Sequence, residues 1–89
     1  MKTILLADDE ANLRMLVHTT LDDPRYHILE ASDGTTALML AKQEHPDLLV
    51  LDWMMPGMTG VEVARALRND AQTAHIPIIM LTAKGQEKD

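Results

Sequence analysis

The sequence predicts a single α/β domain built around a parallel, doubly wound β-sheet. Two observations carry this prediction. Short apolar runs without polar alternation occur at residues 3–7, 48–51 and 77–81, as in strands that are covered on both faces. Segments with helical spacing of apolar residues separate the strands, and strands joined through such helices run parallel, through right-handed crossovers.

The first half of the chain holds two predicted strand–helix units. The strand over residues 3–7 stops abruptly at Asp8, and the helix that follows should end near Pro24, because proline disfavours helix in the residue before it. Residues 26–31 are the second predicted strand, a turn follows at 32–34, and the second helix stops before Pro46. The apolar residues at helical spacing are Leu13, Leu16, Val17 and Leu21 in the first helix and Ala37, Leu38, Leu40 and Ala41 in the second.

The second half of the chain repeats the same order of elements. The third strand, over residues 48–51, again ends on an acid, Asp52. A proline- and glycine-containing loop over residues 56–60 leads to the third helix, for which Thr59 is a suitable N-cap. The fourth strand covers residues 77–81, with its proline at the start, where a missing hydrogen-bond donor does least harm. The third apolar stripe comprises Val63, Ala64 and Leu67.

Composition excludes several classes of function. There is no cysteine, so disulfide scaffolds, cysteine-based zinc sites and thiol catalysis are excluded. Eight basic against fourteen acidic residues give a net charge of −6, which is unsuited to nucleic acid or an anionic membrane. The longest apolar run, residues 37–41, is far below a membrane span. We therefore expect a cytoplasmic domain without direct contact to nucleic acid or membrane. Solvated or capping roles are expected for His18, His27, His45 and His75.

Three carboxylates lie at the carboxyl ends of predicted strands. Asp8 and Asp9 follow the first strand and Asp52 follows the third. Ligands of open parallel sheets bind at the carboxyl ends of the strands, so the three converge if these strands are neighbours. Each like-charge pair about 4 Å apart then costs about 4 kcal/mol at an effective dielectric constant near 20. Such a cluster takes up protons or binds a cation, and hard oxygen ligands favour Mg²⁺.

Asp52 differs from the other two acids because it ends a buried strand beside a loop. A carboxylate held there next to Mg²⁺ can attack phosphorus as a nucleophile and form an aspartyl-phosphate. Thr82 ends the neighbouring fourth strand, where its hydroxyl can donate a hydrogen bond to a phosphoryl oxygen, and Ala83 after it is too small to block access.

Each of these residues alone also has an ordinary structural explanation. Asp9 can be a helix N-cap, Asp52 a loop acid and Thr82 a common strand-end threonine. Their joint position at the carboxyl ends of strands favours the functional interpretation.

The ordered set of motifs resembles a response-regulator receiver domain of two-component signalling. The motifs are Asp8–Asp9 after a short strand, the segment 48–60 with Asp52, Pro56, Gly57 and Gly60, and the strand 77–81 followed by Thr82–Ala83. The resemblance covers the whole chain in order and with natural spacing. It implies a flavodoxin-like, CheY-like fold and a receiver domain over residues 1–89.

The resemblance also implies roles for individual residues. Asp52 is the implied phosphoryl acceptor, and the donor is a phosphohistidine on a sensor histidine kinase or a small acyl phosphate. Mg²⁺ is held by Asp8, Asp9 and Asp52 with the backbone carbonyl of Met54. Thr82 senses the phosphoryl group, and Ala83 keeps the site open. The implied loop-shaping residues are Pro56, Gly57 and Gly60.

The chain departs from the family pattern after the fourth strand. Receivers continue with a helix, a fifth strand and a final helix, a unit of about 30 residues, whereas only residues 85–89 remain here. The family's fifth-strand lysine and aromatic switch residue are therefore missing, and Lys84 does not replace that lysine. We expect a domain that is incomplete at its C-terminus and weakened phosphoryl transfer. If the protein truly ends at Asp89, we expect self-association through the exposed edge of the fourth strand (Ile76, Ile78, Ile79, Met80 and Leu81) or by domain swapping. The alternatives are that the chain is a truncated fragment or that the rest of the domain follows residue 89.

Three other functions are weaker hypotheses. A phosphohydrolase of the haloacid dehalogenase type requires a second aspartate two positions after the nucleophile, where this chain has Met54. An inactive, receiver-like dimerisation module needs no chemistry at Asp52 and is the main alternative. A nucleotide- or flavin-binding domain would need a glycine-rich turn after the first strand, where this chain is acidic.

Overall fold

Four parallel strands and three helices alternate along residues 1–81, the part of the chain that the computed structural model describes. The sheet has the strand order β2-β1-β3-β4, and every neighbouring pair is parallel. The order therefore reverses between β1 and β3, as in doubly wound folds. The elements are β1 (Lys2–Ala7), α1 (Ala11–Thr20), β2 (Tyr26–Ala31), α2 (Gly34–Glu44), β3 (Leu48–Asp52), α3 (Gly60–Arg68) and β4 (Ile78–Leu81).

The central strand β1 packs on both faces, which confirms the predicted doubly wound class. Because side chains alternate along a strand, Leu5 and Ala7 lie in one apolar cluster and Ile4 and Leu6 in another. The first cluster lies under α2 and α3, and the second lies under α1. Burying one leucine side chain stabilises the fold by about 1.5–3 kcal/mol. The helix residues in these clusters are Ala37, Leu38, Leu40, Ala41, Val63, Ala64 and Leu67 on one face and Val17 on the other.

Helix α1 covers its face less completely than its sequence predicts. None of its ten residues, all of which the structure describes, is fully buried. Val17 packs on the second cluster, but Leu16 is 62% exposed and Met15 is 64% exposed. The expected inward stripe is therefore wrong for Leu16. One position along a helix rotates a side chain by about 100°, so Leu16 falls outside the face that Val17 presents to the sheet.

The other two helices begin with side-chain caps. The carboxylate of Asp33 accepts a hydrogen bond from the backbone N–H of Thr36, 2.7 Å away, at the start of α2. Thr59 and Glu62 form a reciprocal capping box at the start of α3, so the predicted cap is confirmed. Helix α2 ends on His45 in the left-handed conformation, with φ 47°, which gives this histidine the expected capping role.

The predicted exposed edge is only partly present. β4 lies at the edge of the sheet that residues 1–81 form, and Ile79 is 51% exposed. Ile76 does not belong to this edge, because it precedes the strand and is fully buried in the first cluster. Self-association through β4 stays a prediction. Among the described helices, none has the length and apolarity that crossing a membrane requires.

Gly34 marks a close approach between α2 and the loop after β3. A Cβ atom at this position would overlap the backbone carbonyl group of Met58. The backbone N–H of Gly34 also donates to the carbonyl oxygen of Pro56, 3.1 Å away. The glycine therefore lets the two segments touch through their backbones.

We predict that Gly34→Ala lowers the free energy of unfolding by about 1–3 kcal/mol, because the added methyl group forces backbone apart in a packed region. Urea unfolding followed by circular dichroism measures the change. Gln43→Ala, at an exposed position of the same helix, is the control and should stay within about 0.5 kcal/mol of the parent chain. Equal stability of Gly34→Ala and the parent chain would contradict the close approach.

Candidate functional site

The sheet brings the three predicted carboxylates to one edge. β1 and β3 are neighbours, with Ala7 paired to Leu51 at their carboxyl ends. Asp8 and Asp9 follow β1, and Asp52 is the last residue of β3. One carboxylate oxygen from each of the three lies within 4.8 Å of the others. The cluster sits where the strand order reverses, which is the usual ligand position in open parallel sheets.

The three acids differ in burial and hydrogen bonding. Asp8 is 1% exposed and Asp52 is 9% exposed, whereas Asp9 faces solvent. Oδ1 of Asp8 accepts a hydrogen bond from the backbone N–H of Glu10, 2.8 Å away. Oδ2 of Asp8 is buried and has no hydrogen-bond partner among the residues that the structure describes. A buried carboxylate oxygen without a donor is costly, and a cation at this position would remove the cost.

Burial and repulsion perturb the titration of both buried acids. Burial raises the pKa of Asp8, and the charges of Asp9 and Glu10 add to the rise, against the Glu10 N–H bond. Burial also raises the pKa of Asp52, followed by the charge of Asp8 and, more weakly, that of Asp9. Both carboxylates are thus held in an environment that disfavours their negative charge and favours a proton or a metal ion.

The donor set fits a hard divalent cation. Three carboxylates offer oxygen ligands, which Mg²⁺ prefers, and the exposed side of the cluster leaves room for the waters that Mg²⁺ retains. The backbone carbonyl of Met54 as a further ligand stays a prediction. Met54 lies in the loop directly after β3, with its side chain 54% exposed.

Asp9 does not act as a helix cap. The N-cap of α1 is Glu10, whose side chain forms no capping hydrogen bond. The alternative explanation of Asp9 as a helix N-cap is therefore wrong. The reason is that α1 begins one residue later than a cap at Asp9 requires, which leaves the Asp9 carboxylate beside the other two acids.

Two glycines lie between β3 and α3, Gly57 in the loop and Gly60 at the first residue of the helix. Gly57 has φ 81°, a conformation that residues with a side chain rarely adopt. The backbone N–H of Gly60 donates to the carbonyl oxygen of Trp53, 2.8 Å away, and a Cβ atom at Gly60 would overlap the carbonyl group of Asp52. Pro56 accepts the Gly34 hydrogen bond described above. The start of α3 is thereby held directly against the end of β3.

The fourth strand brings its last described residue beside Asp52. Leu81 of β4 pairs with Asp52 of β3, and its carbonyl oxygen accepts a hydrogen bond from the N–H of Trp53, 3.2 Å away. Thr82 and Ala83 come next in the chain but lie outside the described residues, as does Lys84. Their expected roles stay predictions.

Sequence reasoning missed one residue that contacts the acidic segment. Arg14 of α1 donates from Nη1 to the backbone carbonyl oxygen of Asp8, 2.6 Å away, and from Nε to Glu30 of β2, 3.0 Å away. Local spacing carries no signal for the contact with Glu30, because that contact depends on β2 lying beside β1. The only hint in the sequence was the position of Arg14, a basic residue one turn into the helix that follows the acidic end of β1.

Fold and site together define a doubly wound α/β domain with an acidic pocket where the strand order reverses. The chain belongs to the response regulator receiver domain family, whose sequence profile matches residues 4–89. Domains of this family are signalling domains rather than classical enzymes, generally bind Mg²⁺ at an acidic pocket and interact with sensor histidine kinases.

Individual relatives agree with this assignment. The chain is 49% identical over 86 residues to the phosphate regulon transcriptional regulatory protein PhoB of Pseudomonas aeruginosa, covering 97% of this chain and 38% of PhoB. The chain therefore spans less than half the length of that relative. The chemotaxis response regulator CheY4 of Vibrio cholerae matches with a TM-score of 0.87 and 38% identity, over 100% of this chain and 75% of CheY4. The Mn²⁺-bound form of response regulator Rcp1 matches with a TM-score of 0.85 and 26% identity, over 98% of this chain and 70% of Rcp1.

The raised pKa values of Asp8 and Asp52 set the sign of a pH dependence. An acid whose pKa is higher in the folded than in the unfolded state destabilises the fold as pH rises from about 3.9 through the raised value. Above that window the full penalty remains. Without a divalent cation, the acidic cluster should therefore lower stability at neutral pH.

We predict that Asp52→Asn raises the free energy of unfolding at neutral pH in EDTA by about 1–4 kcal/mol, the range for removing one like-charge pair about 4 Å apart. Urea unfolding at acidic and neutral pH measures the effect. The gain should shrink at acidic pH, where the carboxyls are protonated. Asp22→Asn, at an exposed position outside the cluster, is the control. A gain of equal size at both pH values would show that charge repulsion is not its cause.

Proposed function

We propose that this chain is the phosphoryl-accepting switch of a two-component system, with Asp52 as the acceptor and a phosphohistidine of a sensor histidine kinase as the donor. The observation that carries the proposal is the cluster of Asp8, Asp9 and Asp52, with oxygens within 4.8 Å of one another and a buried Asp8 oxygen without a described partner. An interaction surface alone does not require three converging carboxylates, two of which have raised pKa values.

The residues that would hold Mg²⁺ are Asp8, Asp9 and Asp52, with the backbone carbonyl of Met54. When bound, the ion neutralises the carboxylates and the charge of the transferring phosphoryl oxygens. The Mn²⁺-bound form of the related Rcp1 supports a divalent cation in this type of domain. The fit of this chain to such an ion comes from its own residues, because the unpartnered Asp8 oxygen needs a positive neighbour.

The position of Asp52 at the end of β3 supports its proposed role as the nucleophile. Asp52 pairs with Leu81 of β4, and the residue before it, Leu51, pairs with Ala7 of β1, so the end of β3 is held from both sides. About 9% of the surface of Asp52 remains exposed, so the residue is not sealed from solvent. In the proposed step a carboxylate oxygen of Asp52 forms a bond to phosphorus while the bond from phosphorus to the donor breaks. The electron pair of the broken bond leaves with the donor.

Neighbouring residues complete the proposed site. We assign phosphoryl sensing to Thr82 and access to Ala83, which is supported by the pairing of the preceding residue, Leu81, with Asp52. The conformation of the loop containing Gly57 and Gly60 supports a shaping role for that segment. We assign residues 1–89 to one receiver domain, as the match of the family profile over residues 4–89 supports.

We predict that Mg²⁺ changes the fluorescence of Trp53 in a saturable manner. Trp53 is the only tryptophan of the chain, is adjacent to Asp52 and is 38% exposed, so its emission reports on charge at the site. Asp52→Asn should weaken the response, whereas Asp22→Asn should leave it unchanged. A folded chain without a Mg²⁺ response would favour the interaction module over the phosphoryl acceptor.

We predict further that incubation with acetyl phosphate and Mg²⁺ adds the mass of one phosphoryl group to the chain. Intact-mass spectrometry detects the product, and the added mass should be absent in Asp52→Asn and present in Asp22→Asn. Persistence of the added mass in Asp52→Asn would move the acceptor elsewhere. Continuous hydrolysis of unrelated phosphate esters would instead indicate a phosphohydrolase.

A further inference from the structure

Arg14 links the acidic segment after β1 to the neighbouring strand β2. Its guanidinium group donates from Nη1 to the backbone carbonyl oxygen of Asp8, 2.6 Å away, and from Nε to Oε1 of Glu30, 3.0 Å away. The Arg14 side chain is 18% exposed and the Glu30 side chain 36% exposed, so the contact with Asp8 is partly buried and the contact with Glu30 is open to water. A planar guanidinium group can hold two acceptors in a fixed relative orientation.

Glu30 is itself held in place from two sides. It lies on β2, which pairs with β1 along its length. Its second carboxylate oxygen, Oε2, lies 2.7 Å from Nδ1 of His18, one turn after Arg14 on α1. The Arg14 guanidinium is therefore bound to an acceptor on the sheet. That acceptor, Glu30, is also held by His18 of the same helix.

The Asp8 contact falls on the peptide group between two of the three acids. The carbonyl of Asp8 belongs to the peptide bond that leads into Asp9, so the orientation of this peptide sets where the Asp9 side chain starts. The N–H of Asp8 donates to the carbonyl oxygen of Ala31 on β2, 3.1 Å away. With Arg14 on the following carbonyl, the backbone on both sides of the Asp8 side chain is tied to β2, directly or through Glu30.

We propose that Arg14 is a positioning residue for the cation site, acting through the Asp8–Asp9 peptide and anchored by Glu30. The proposal rests on the proposed function, because it assumes that Asp8 and Asp9 hold a divalent cation. It assigns Arg14 no contact with the ion. Its role is to fix the relative positions of two carboxylates, one of which, Asp9, is exposed to solvent.

The charge of Arg14 and its positioning role predict opposite effects of its removal on Mg²⁺ affinity. A cation close to the acidic cluster repels another cation, so through charge alone the loss of Arg14 should strengthen Mg²⁺ binding. Loss of the fixed peptide orientation should weaken binding, because the carboxylates would have to be ordered when the ion enters. The sign of the change in affinity therefore separates the two roles.

The test is a Mg²⁺ titration of the full chain followed by Trp53 fluorescence. Arg14→Ala should raise the Mg²⁺ dissociation constant about tenfold, as for other residues that orient metal ligands without contacting the metal. Arg14→Lys should raise it to a similar extent, since an ammonium group keeps the charge but offers one nitrogen in place of two. Arg25→Ala is the matched control, because it removes the same charge from an exposed pair with Asp23.

A double-variant comparison tests the anchor. Glu30→Ala alone should also weaken Mg²⁺ binding, and Arg14→Ala combined with Glu30→Ala should bind no more weakly than Arg14→Ala alone, because both changes break one bridge. Additive losses would overturn the bridge as the cause. Urea unfolding of each variant shows whether it is folded, and Arg14→Lys and Glu30→Ala carry the test if Arg14→Ala does not fold.

The possible outcomes separate the two proposals. An unchanged or tighter Mg²⁺ dissociation constant in Arg14→Ala, with a normal response of the parent chain, overturns the positioning role and leaves the proposed function intact. Lower stability with unchanged Mg²⁺ affinity shows a purely structural role and also overturns it. A parent chain that does not respond to Mg²⁺ overturns the proposed function and this inference with it.

Discussion

Burial of converging carboxylates at the reversal point of the sheet is the constraint on which the site depends. Parallel pairing of β1 with β3 forces Asp8 and Asp52 to the same edge, and burial prevents water from screening their charges. The fold alone therefore creates a position where positive charge is favourable. The raised pKa values of Asp8 and Asp52 and the unpartnered Asp8 oxygen both follow from this arrangement.

Much of the fold and site could be predicted from sequence, because the signals are local. An uninterrupted apolar run such as residues 48–51 indicates a strand buried on both faces, and the Thr59 cap with Glu62 three residues later marks the start of a helix. The convergence of the acids also follows from simple rules, since strands of a parallel sheet end at one edge. The only further requirement is that the first and third strands be neighbours.

The features that sequence missed depend on tertiary neighbours. Leu16 has the spacing of a core residue but lies outside the face that α1 presents to the sheet, and Ile76 belongs to the core although it adjoins an edge strand. The Arg14–Glu30 bridge depends on β2 lying beside β1, and no pattern within either segment encodes that order. Strand order and the exact rotation of a helix are decided by packing between distant segments.

Because α1 is weakly buried, the helix on its face of the sheet is packed less tightly than the two helices on the other face. α2 and α3 contribute fully buried side chains to a continuous apolar cluster, whereas α1 has no buried residue and contacts the sheet through Val17 and through the polar contacts of Arg14 and His18 with Glu30. Segments with few buried apolar contacts open at lower free-energy cost than the core. The amides of α1 should therefore exchange with deuterated solvent through local detachment, while those of α3 exchange only when the whole domain opens.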